Sequence, residues 1–99
     1  MSKLYIAEFG TQTSTIYGQL LQLPKLPPVT GQVVTFTTST QSAALNAETT
    51  YVRAISDADC HLEVGSNPTA TTSSVIKLTA GVPEYFGVTA GHKIAAIAA

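Results

Sequence analysis

A two-residue alternation of apolar and polar side chains runs through residues 32–99 and constrains the fold more than any other feature. It is clearest at residues 60–64, where one face consists of Cys60, Leu62 and Val64 and the other of His61 and Glu63. Successive side chains of a strand point to opposite faces, so this pattern predicts strands that bury one face. A domain built from such strands has to stack two sheets or close one sheet into a barrel.

The composition favours the same fold class. The chain contains 15 Thr and 8 Ser, whereas charged residues make up only 11% of its 99 residues, against about 25% in an average globular protein. Helical surfaces are usually filled with Glu, Lys, Arg and Gln, while Thr, Val, Ile and Tyr suit strands. The composition therefore argues against a helical bundle or a coiled coil.

Strand and turn signals divide the second part of the chain into short elements. Residues 50–64 are expected to form one hairpin around a turn at residues 57–59. Residues 40–47 are either a short strand or one helical turn. The last strand, at 93–97, is apolar on both faces and is expected to be central or covered. Short strands with turns every 8–12 residues predict an all-β, antiparallel sandwich or small barrel with about seven to nine strands.

The first part of the chain, residues 1–31, contains a different kind of segment. Residues 4–9 read as a strand, and residues 13–17 as a second strand. Residues 20–29 contain Pro24, Pro27 and Pro28, which exclude a helix and a central strand and favour an extended conformation. This segment is also rich in Leu, so it either crosses the core of its own domain or packs on a neighbouring subunit. The sequence is thus divided into residues 1–31 and a sandwich at 32–99, within one compact domain.

Several classes of function are excluded by charge and by cysteine content. The net charge is −1 and no basic run occurs, so nucleic acid is not an expected partner. One cysteine excludes an internal disulfide and a Cys-rich zinc site. The apolar run at the start stops at Glu8, too early for a secretory signal, and no run approaches the ~20 apolar residues of a membrane span. We therefore expect neither nucleic acid nor a membrane as a partner.

Residue types that carry chemistry are present, but their placement does not favour a catalytic or metal site. Cys60 and His61 are adjacent, and on a strand they point to opposite faces, so Cys60 is expected to be a buried, inert thiol. His61 and Glu63 supply only two ligands on one face, and His92 lies in a turn without further ligands nearby in sequence. Neither a metal nor a cofactor is predicted.

The remaining candidates have simple structural interpretations. Asp57 and Asp59 flank a turn and are expected to cap it by accepting hydrogen bonds from nearby N–H groups. No serine lies in a Gly-x-Ser-x-Gly elbow, and no Gly-rich phosphate loop is present. We therefore expect that the protein is not an enzyme.

Two blocks of the sequence resemble a known group of proteins. Residues 51–71 contain a D-C-H turn and strand followed by G-x-x-P-T-A-T, and residues 82–97 contain V-P-E-Y-F and then G-x-K-I-A-x-I. This pattern resembles small structural proteins of tailed bacteriophages and prophages that are encoded near the major capsid protein. The resemblance implies a capsid decoration or cement protein that stabilises the head by binding the major capsid protein, and it carries no catalytic residues.

The resemblance also sets expectations about location, partners and contacts. We expect the protein on the capsid surface of the virion, after synthesis in the cytoplasm of the host bacterium, as a homo-oligomer such as a dimer or trimer. Removing residues 1–30 is expected to abolish capsid binding and to leave the sandwich folded. The predicted contacts with the capsid or with another subunit are Leu4, Tyr5, Ile6, Phe9, Leu20, Leu21, Leu23, Pro24, Leu26, Pro27 and Pro28.

Two alternatives remain open at this point. Within the virion, the chain could be a head–tail connector or a structural protein of the tail or fibre base, which copy number would separate from a decoration protein. Outside the virion, it could be a carbohydrate-binding β module. That function requires an exposed aromatic platform, so burial of Tyr51, Tyr85 and Phe86 would remove it.

Overall fold

A computed structural model describes residues 2–10, 12–14, 20–24 and 26–99 of the chain. The described residues form ten strands and no helix, which confirms the predicted all-β class. In chain order the strands are β1 (Ser2–Phe9), β2 (Gln12–Ser14), β3 (Leu20–Pro24), β4 (Thr30–Phe36), β5 (Thr40–Gln41), β6 (Tyr51–Ser56), β7 (Cys60–Gly65), β8 (Ile76–Leu78), β9 (Glu84–Gly87) and β10 (Lys93–Ala98).

Eight of these strands form two four-stranded sheets. Sheet I has the order β4-β1-β6-β9, sheet II has the order β5-β10-β7-β8, and all neighbours are antiparallel. This confirms the predicted antiparallel architecture. Strands β2 and β3 pair with each other as a two-stranded ribbon. The extended conformation predicted for the Leu- and Pro-rich segment is thus present in β3.

The inner faces of the two sheets enclose an apolar core. The predicted alternation is confirmed in β4, where Val34 and Phe36 are buried while Val33 and Thr35 are exposed. Each large apolar side chain that is fully buried contributes about 1.5–3 kcal/mol. The buried cluster consists of Leu4, Ile6, Val34, Phe36, Leu45, Val52, Ala54, Cys60, Leu62, Leu78, Ile94 and Ala96.

Strand β10 is an inner strand of sheet II, as predicted from its apolar character on both faces. It pairs with β5 on one side and with β7 on the other. Ile94, Ala95 and Ala96 are all inaccessible to solvent. Both faces of the strand are therefore covered, which explains why consecutive residues are apolar.

The hairpin predicted for residues 50–64 is wrong. Strand β6 lies in sheet I and β7 lies in sheet II, so the turn between them carries the chain from one sheet to the other. Both strands bury one face in the same core, and a connection between sheets satisfies the alternation as well as a hairpin does. Alternation fixes which face of a strand is buried, but it does not fix which strand is its neighbour.

The boundary predicted between residues 31 and 32 does not separate two parts of the structure. Strand β1 lies between β4 and β6 in sheet I, with Leu4 opposite both Val34 and Ser56. Residues from the first part of the sequence are thus integral to the sandwich.

The sequence predicts either a short strand or a helical turn for residues 40–47. In the structure these residues begin with the two-residue strand β5 and continue as an irregular loop. This loop, residues 42–50, connects sheet II to sheet I. Its Leu45 is 3% exposed and belongs to the core. The Leu45 N–H donates to the His92 carbonyl, and the Gly91 N–H donates to the Leu45 carbonyl. The loop therefore closes one end of the sandwich.

A buried carboxylate fixes this loop to sheet I. Glu8, on β1, is inaccessible to solvent. Its Oε1 accepts from the Asn46 backbone N–H at 2.8 Å and from the Thr49 hydroxyl at 2.9 Å, and its Oε2 accepts from Gln32 Nε2 at 3.0 Å. Gln32 in turn exchanges hydrogen bonds with the backbone of Ala43. A carboxylate buried in this way requires such donors, because water no longer solvates it.

We predict that Glu8→Ala destabilises the fold strongly and that Glu8→Gln does so less. Alanine leaves the Asn46 N–H and the Thr49 hydroxyl without an acceptor, at a cost of about 1–3 kcal/mol for each buried group. Glutamine keeps one carbonyl oxygen for these two donors. Urea unfolding measures both variants, and an alanine variant as stable as the wild type would contradict the role given to Glu8.

We also predict that removal of residues 1–30 unfolds the protein, contrary to the expectation from sequence, because it removes an inner strand and part of the core. A matched deletion removes only residues 11–25. The Val29 N–H donates to the Glu8 carbonyl at 2.8 Å, so the two ends of the deleted segment lie close enough for a short glycine linker. Circular dichroism and dispersed NMR amide signals should show a folded chain for the second deletion only.

Candidate functional site

Part of the outer face of sheet II, around Ala95, is covered by the chain itself. Ala95 points away from the core, between Ile94 and Ala96, which point into it, yet it is inaccessible to solvent. Gln41, opposite Ala95 on β5, donates from Nε2 to the Asn67 side-chain oxygen at 2.9 Å and to the Pro68 carbonyl at 2.8 Å. These hydrogen bonds hold the loop at residues 66–74 over this face.

Further contacts fix the same loop along its length. The Ala70 N–H donates to Ser39 Oγ at 2.9 Å, and Ala70 is 2% exposed. His61 Nδ1 lies 2.8 Å from the Ser74 carbonyl; because a carbonyl only accepts, Nδ1 carries the proton. The Ser74 hydroxyl accepts from the Thr71 N–H at 3.0 Å. Loop 66–74 is thus a hydrogen-bonded cover and not a free surface loop.

Among the described residues, none forms a comparable cover over most of the outer face of sheet I, which we call the open face. Three of its large side chains are exposed: Tyr5 at 44%, Val33 at 58% and Tyr85 at 54%. Tyr5 and Val33 are direct cross-strand neighbours, and Tyr85 lies opposite Arg53. Alternation along β1, β4, β6 and β9 defines the open face as Lys3, Tyr5, Ala7, Gly31, Val33, Thr35, Arg53, Ile55 and Tyr85.

A shallow depression of about 270 Å³ lies within the open face. Its middle is formed by Ala7 and Gly31, which lie opposite each other and carry little or no side chain. Tyr5 and Val33 border it on one side, and Arg53, opposite Ala7 on β6, borders it on the other. The depression exists because small residues lie between large ones on adjacent strands.

One end of this outer face is closed by an aromatic pair. Phe9 and Tyr51 are cross-strand neighbours whose rings stack with centroids 5.3 Å apart. Phe9 is 3% exposed, although it is not part of the core between the sheets. Burial raises the pKa of the Tyr51 phenol above its usual value, and the nearby Tyr85 raises it further. Tyr51 therefore stays uncharged at neutral pH.

The predicted contact residues fall into three groups: buried residues, accessible residues, and residues whose side chains are not described. Leu4 and Ile6 lie in the core and Phe9 is buried in the stacked pair, so the surface available to another protein does not include these three side chains. Tyr5 and Leu26 are exposed, at 44% and 71%, Pro27 is exposed and Pro28 is half-buried. The side chains of Leu20, Leu21, Leu23 and Pro24 lie outside the described residues.

The residues considered for chemistry are not brought together. His61 points to the covered outer face of sheet II, whereas Cys60 points into the core. The His92 backbone bonds the turn and the core loop through Thr89 and Leu45. Among the described residues, no three His, Cys, Asp or Glu side chains lie close enough to hold a metal ion.

The two aspartates at the turn after β6 have a different role from the one predicted. Asp57 Oδ1 accepts from the Lys3 N–H and Asp59 Oδ1 accepts from the Ala80 N–H, both at 2.8 Å. The turn itself is capped by Ser56, whose hydroxyl bonds the N–H and the carbonyl of Ala58. The aspartates thus tie the turn to distant segments, which no local pattern indicates.

Comparison with protein-family models, with curated protein sequences and with solved structures gives no match to this chain. In the part of the chain that the structure describes, no helix is long and apolar enough to cross a membrane.

The alternation of apolar and polar residues places Val33 opposite Val34 and places Arg53 opposite Val52, on the outer side of their strands. It does not indicate whether other parts of the chain cover that side. The sequence contains one signal that distinguishes the two outer faces. The outward side chains of β4 and β6 include Tyr, Arg, Ile and Val, whereas those of β7 are His and Glu. An apolar outer face on strands with a buried inner face is a signal for a binding surface.

We predict that Cys60 is unreactive in the folded protein. The thiol is inaccessible to solvent, and burial raises its pKa above the usual value, so both access and thiolate formation are suppressed. Ellman's reagent should react roughly 100-fold or more slowly with the native chain than with the urea-unfolded chain. A Ser73→Cys variant, with an exposed thiol, is the matched control, and equal rates at the two positions would contradict the prediction.

Proposed function

We propose that this protein is a bacteriophage virion structural protein that decorates the capsid by binding the major capsid protein through the open face. The choice of the virion comes from the resemblance of residues 51–97, and the choice of surface comes from the structure. The observation that carries the proposal is the contrast between one outer sheet face that the chain covers and one that it leaves exposed, with Tyr5, Val33 and Tyr85 accessible.

The composition of the open face suits protein recognition. Tyr and Arg are enriched among the residues that dominate binding energy, because they combine large contact area with directed polar groups. Here Tyr5, Tyr85 and Arg53 lie on three adjacent strands of one sheet. A sheet holds them at fixed spacing, so binding requires little reordering of the chain.

The size of the open face favours a multivalent contact. Four strands about 4.8 Å apart and six residues about 3.4 Å apart give roughly 400 Å², half of the roughly 800 Å² per partner in a standard interface. One such contact is weak by itself. Several copies joined in an oligomer and bound to a symmetric shell gain avidity without any new contact. A dimer or trimer on the capsid is therefore part of the proposal.

The proposal is tested first by location and copy number. Quantitative mass spectrometry and cryo-electron microscopy of purified particles should find hundreds of copies on the head. Rings of six or twelve copies would instead favour the head–tail connector or tail function. Absence of the chain from particles would contradict both.

The surface is tested by paired valine substitutions. Val33→Gln removes an exposed apolar side chain from the open face, and Val75→Gln removes one that is 93% exposed outside it. A valine buried on binding contributes about 1.5–3 kcal/mol, so Val33→Gln should weaken rebinding to stripped capsids roughly ten- to hundredfold. Val75→Gln should leave rebinding unchanged. Equal effects of the two variants, both shown to be folded, would contradict the assignment of the surface.

A carbohydrate-binding function is the second candidate, and the exposure of Tyr85 and Tyr5 favours it. Tyr85 is 54% exposed, so the burial that would have removed this candidate is not present. The tyrosines lie two strands apart and are offset by two residues along the strands, which gives a spacing of about 12 Å. Binding to glycan arrays that is lost with Tyr85→Ala, together with absence from virions, would favour this function over decoration.

A further inference from the structure

Arg53 is a half-buried cation on the open face. It lies on β6, an inner strand of sheet I, and borders the depression of the open face. Among the described residues, none forms a hydrogen bond or ion pair with its side chain. A guanidinium carries five N–H donors in a planar fork, and partial burial limits how well water satisfies them.

Three acidic residues on or next to the strands of sheet I point away from Arg53. Glu8 faces the interior and is fully engaged by its three donors. Glu84 lies opposite Ala54, a core residue, and therefore projects from the other side of the sheet. Asp57 lies at the far end of β6 and accepts from the Lys3 backbone. The charged residues of the open face are thus Lys3 and Arg53, and both are cationic.

We propose that the depression is a receptor for a carboxylate side chain of the partner protein, with Arg53 as the residue that binds it. The planar fork of arginine matches the two oxygens of a carboxylate, and such charge-assisted pairs are roughly twice as strong as neutral hydrogen bonds. Ala7 and Gly31 leave room for the acidic side chain, and Tyr5, Val33 and Tyr85 receive the apolar residues beside it. The inference rests on the proposed function for the identity of the partner.

The size and charge of the depression define its occupant. Its volume of about 270 Å³ lies below the roughly 300–1,000 Å³ of sites for drug-sized ligands, which fits a single side chain. A second copy that presented its own open face would place cation against cation, which is unfavourable. The complementary surface is therefore an apolar protein segment with Asp or Glu at its centre.

The inference is tested with peptides and isotope-labelled full-length protein, without capsids. Ac-Leu-Glu-Leu-NH₂ is titrated and compared with Ac-Leu-Gln-Leu-NH₂, which has the same shape and no charge. With the glutamate peptide, the amide signals of Ala7, Gly31 and Arg53 should shift with a Kd of about 1 mM. The glutamine peptide should bind at least roughly tenfold more weakly, the loss expected for a charge-assisted hydrogen bond.

Matched variants assign the charge effect to one residue. Arg53→Gln should remove the preference for the glutamate peptide, while Lys77→Gln, on the outer face of sheet II, should retain it. Gly31→Val should weaken binding of both peptides by filling the depression. A Cβ at residue 31 would meet only the Ile6 carbonyl oxygen, at 3.4 Å, so this variant should fold.

Three outcomes would overturn the inference: equal binding of the two peptides, shifts confined to residues outside the open face, or no shifts at about 10 mM peptide. Glucuronate that shifts these amides when the glutamate peptide does not would assign the site to an acidic sugar and would also overturn it. Because the peptide test needs no particle, its failure is distinguishable from failure of the proposed decoration function.

Discussion

The hydrogen bonds that hold loop 66–74 over sheet II decide which surface of the molecule is available. A sandwich has two outer faces, and this chain uses one of its loops to cover part of one of them. Gln41, His61 and Ser39 hold that loop in place by hydrogen bonds. The other face keeps its apolar side chains in water, which is unfavourable for an isolated protein and is typical of an interaction surface.

The rest of the structure keeps the open face rigid. Its residues lie on strands whose inner side chains are fixed in the core, and Glu8 ties β1 to the loop that closes the end of the sandwich. Rigidity matters because a contact of a few hundred square ångströms contributes little binding free energy. That free energy would be largely offset if side chains or loops had to become ordered on binding. A small contact that is repeated many times would be sufficient for the proposed decoration function, which requires no catalytic group.

The fold could be predicted largely from the sequence, whereas the site could be predicted only in part. Alternation identified the buried faces of β4, β6 and β7, because a period of two is a local property. It could not identify that β6 and β7 lie in different sheets, since neighbouring strands are chosen by packing far along the chain. The sequence predicted a contact with another protein at Leu4, Ile6 and Phe9. An apolar strand has the same sequence pattern at the edge of a sheet as at its centre, so the pattern did not show that β1 is an inner strand. Alternation also places Arg53 on the outer side of β6, but the absence of an ionic partner among the described residues depends on where Glu84 and Asp57 lie in the fold.

Hydroxyl-radical footprinting of the chain on purified particles, compared with the free protein, tests the central claim most directly. We expect oxidation of Tyr5 and Tyr85 to fall at least severalfold on the particle, while Lys77 and His61 on the other sheet are labelled as in the free protein. Unchanged oxidation of Tyr5 and Tyr85 on particles that carry the chain, or protection confined to the sheet II side, would contradict it.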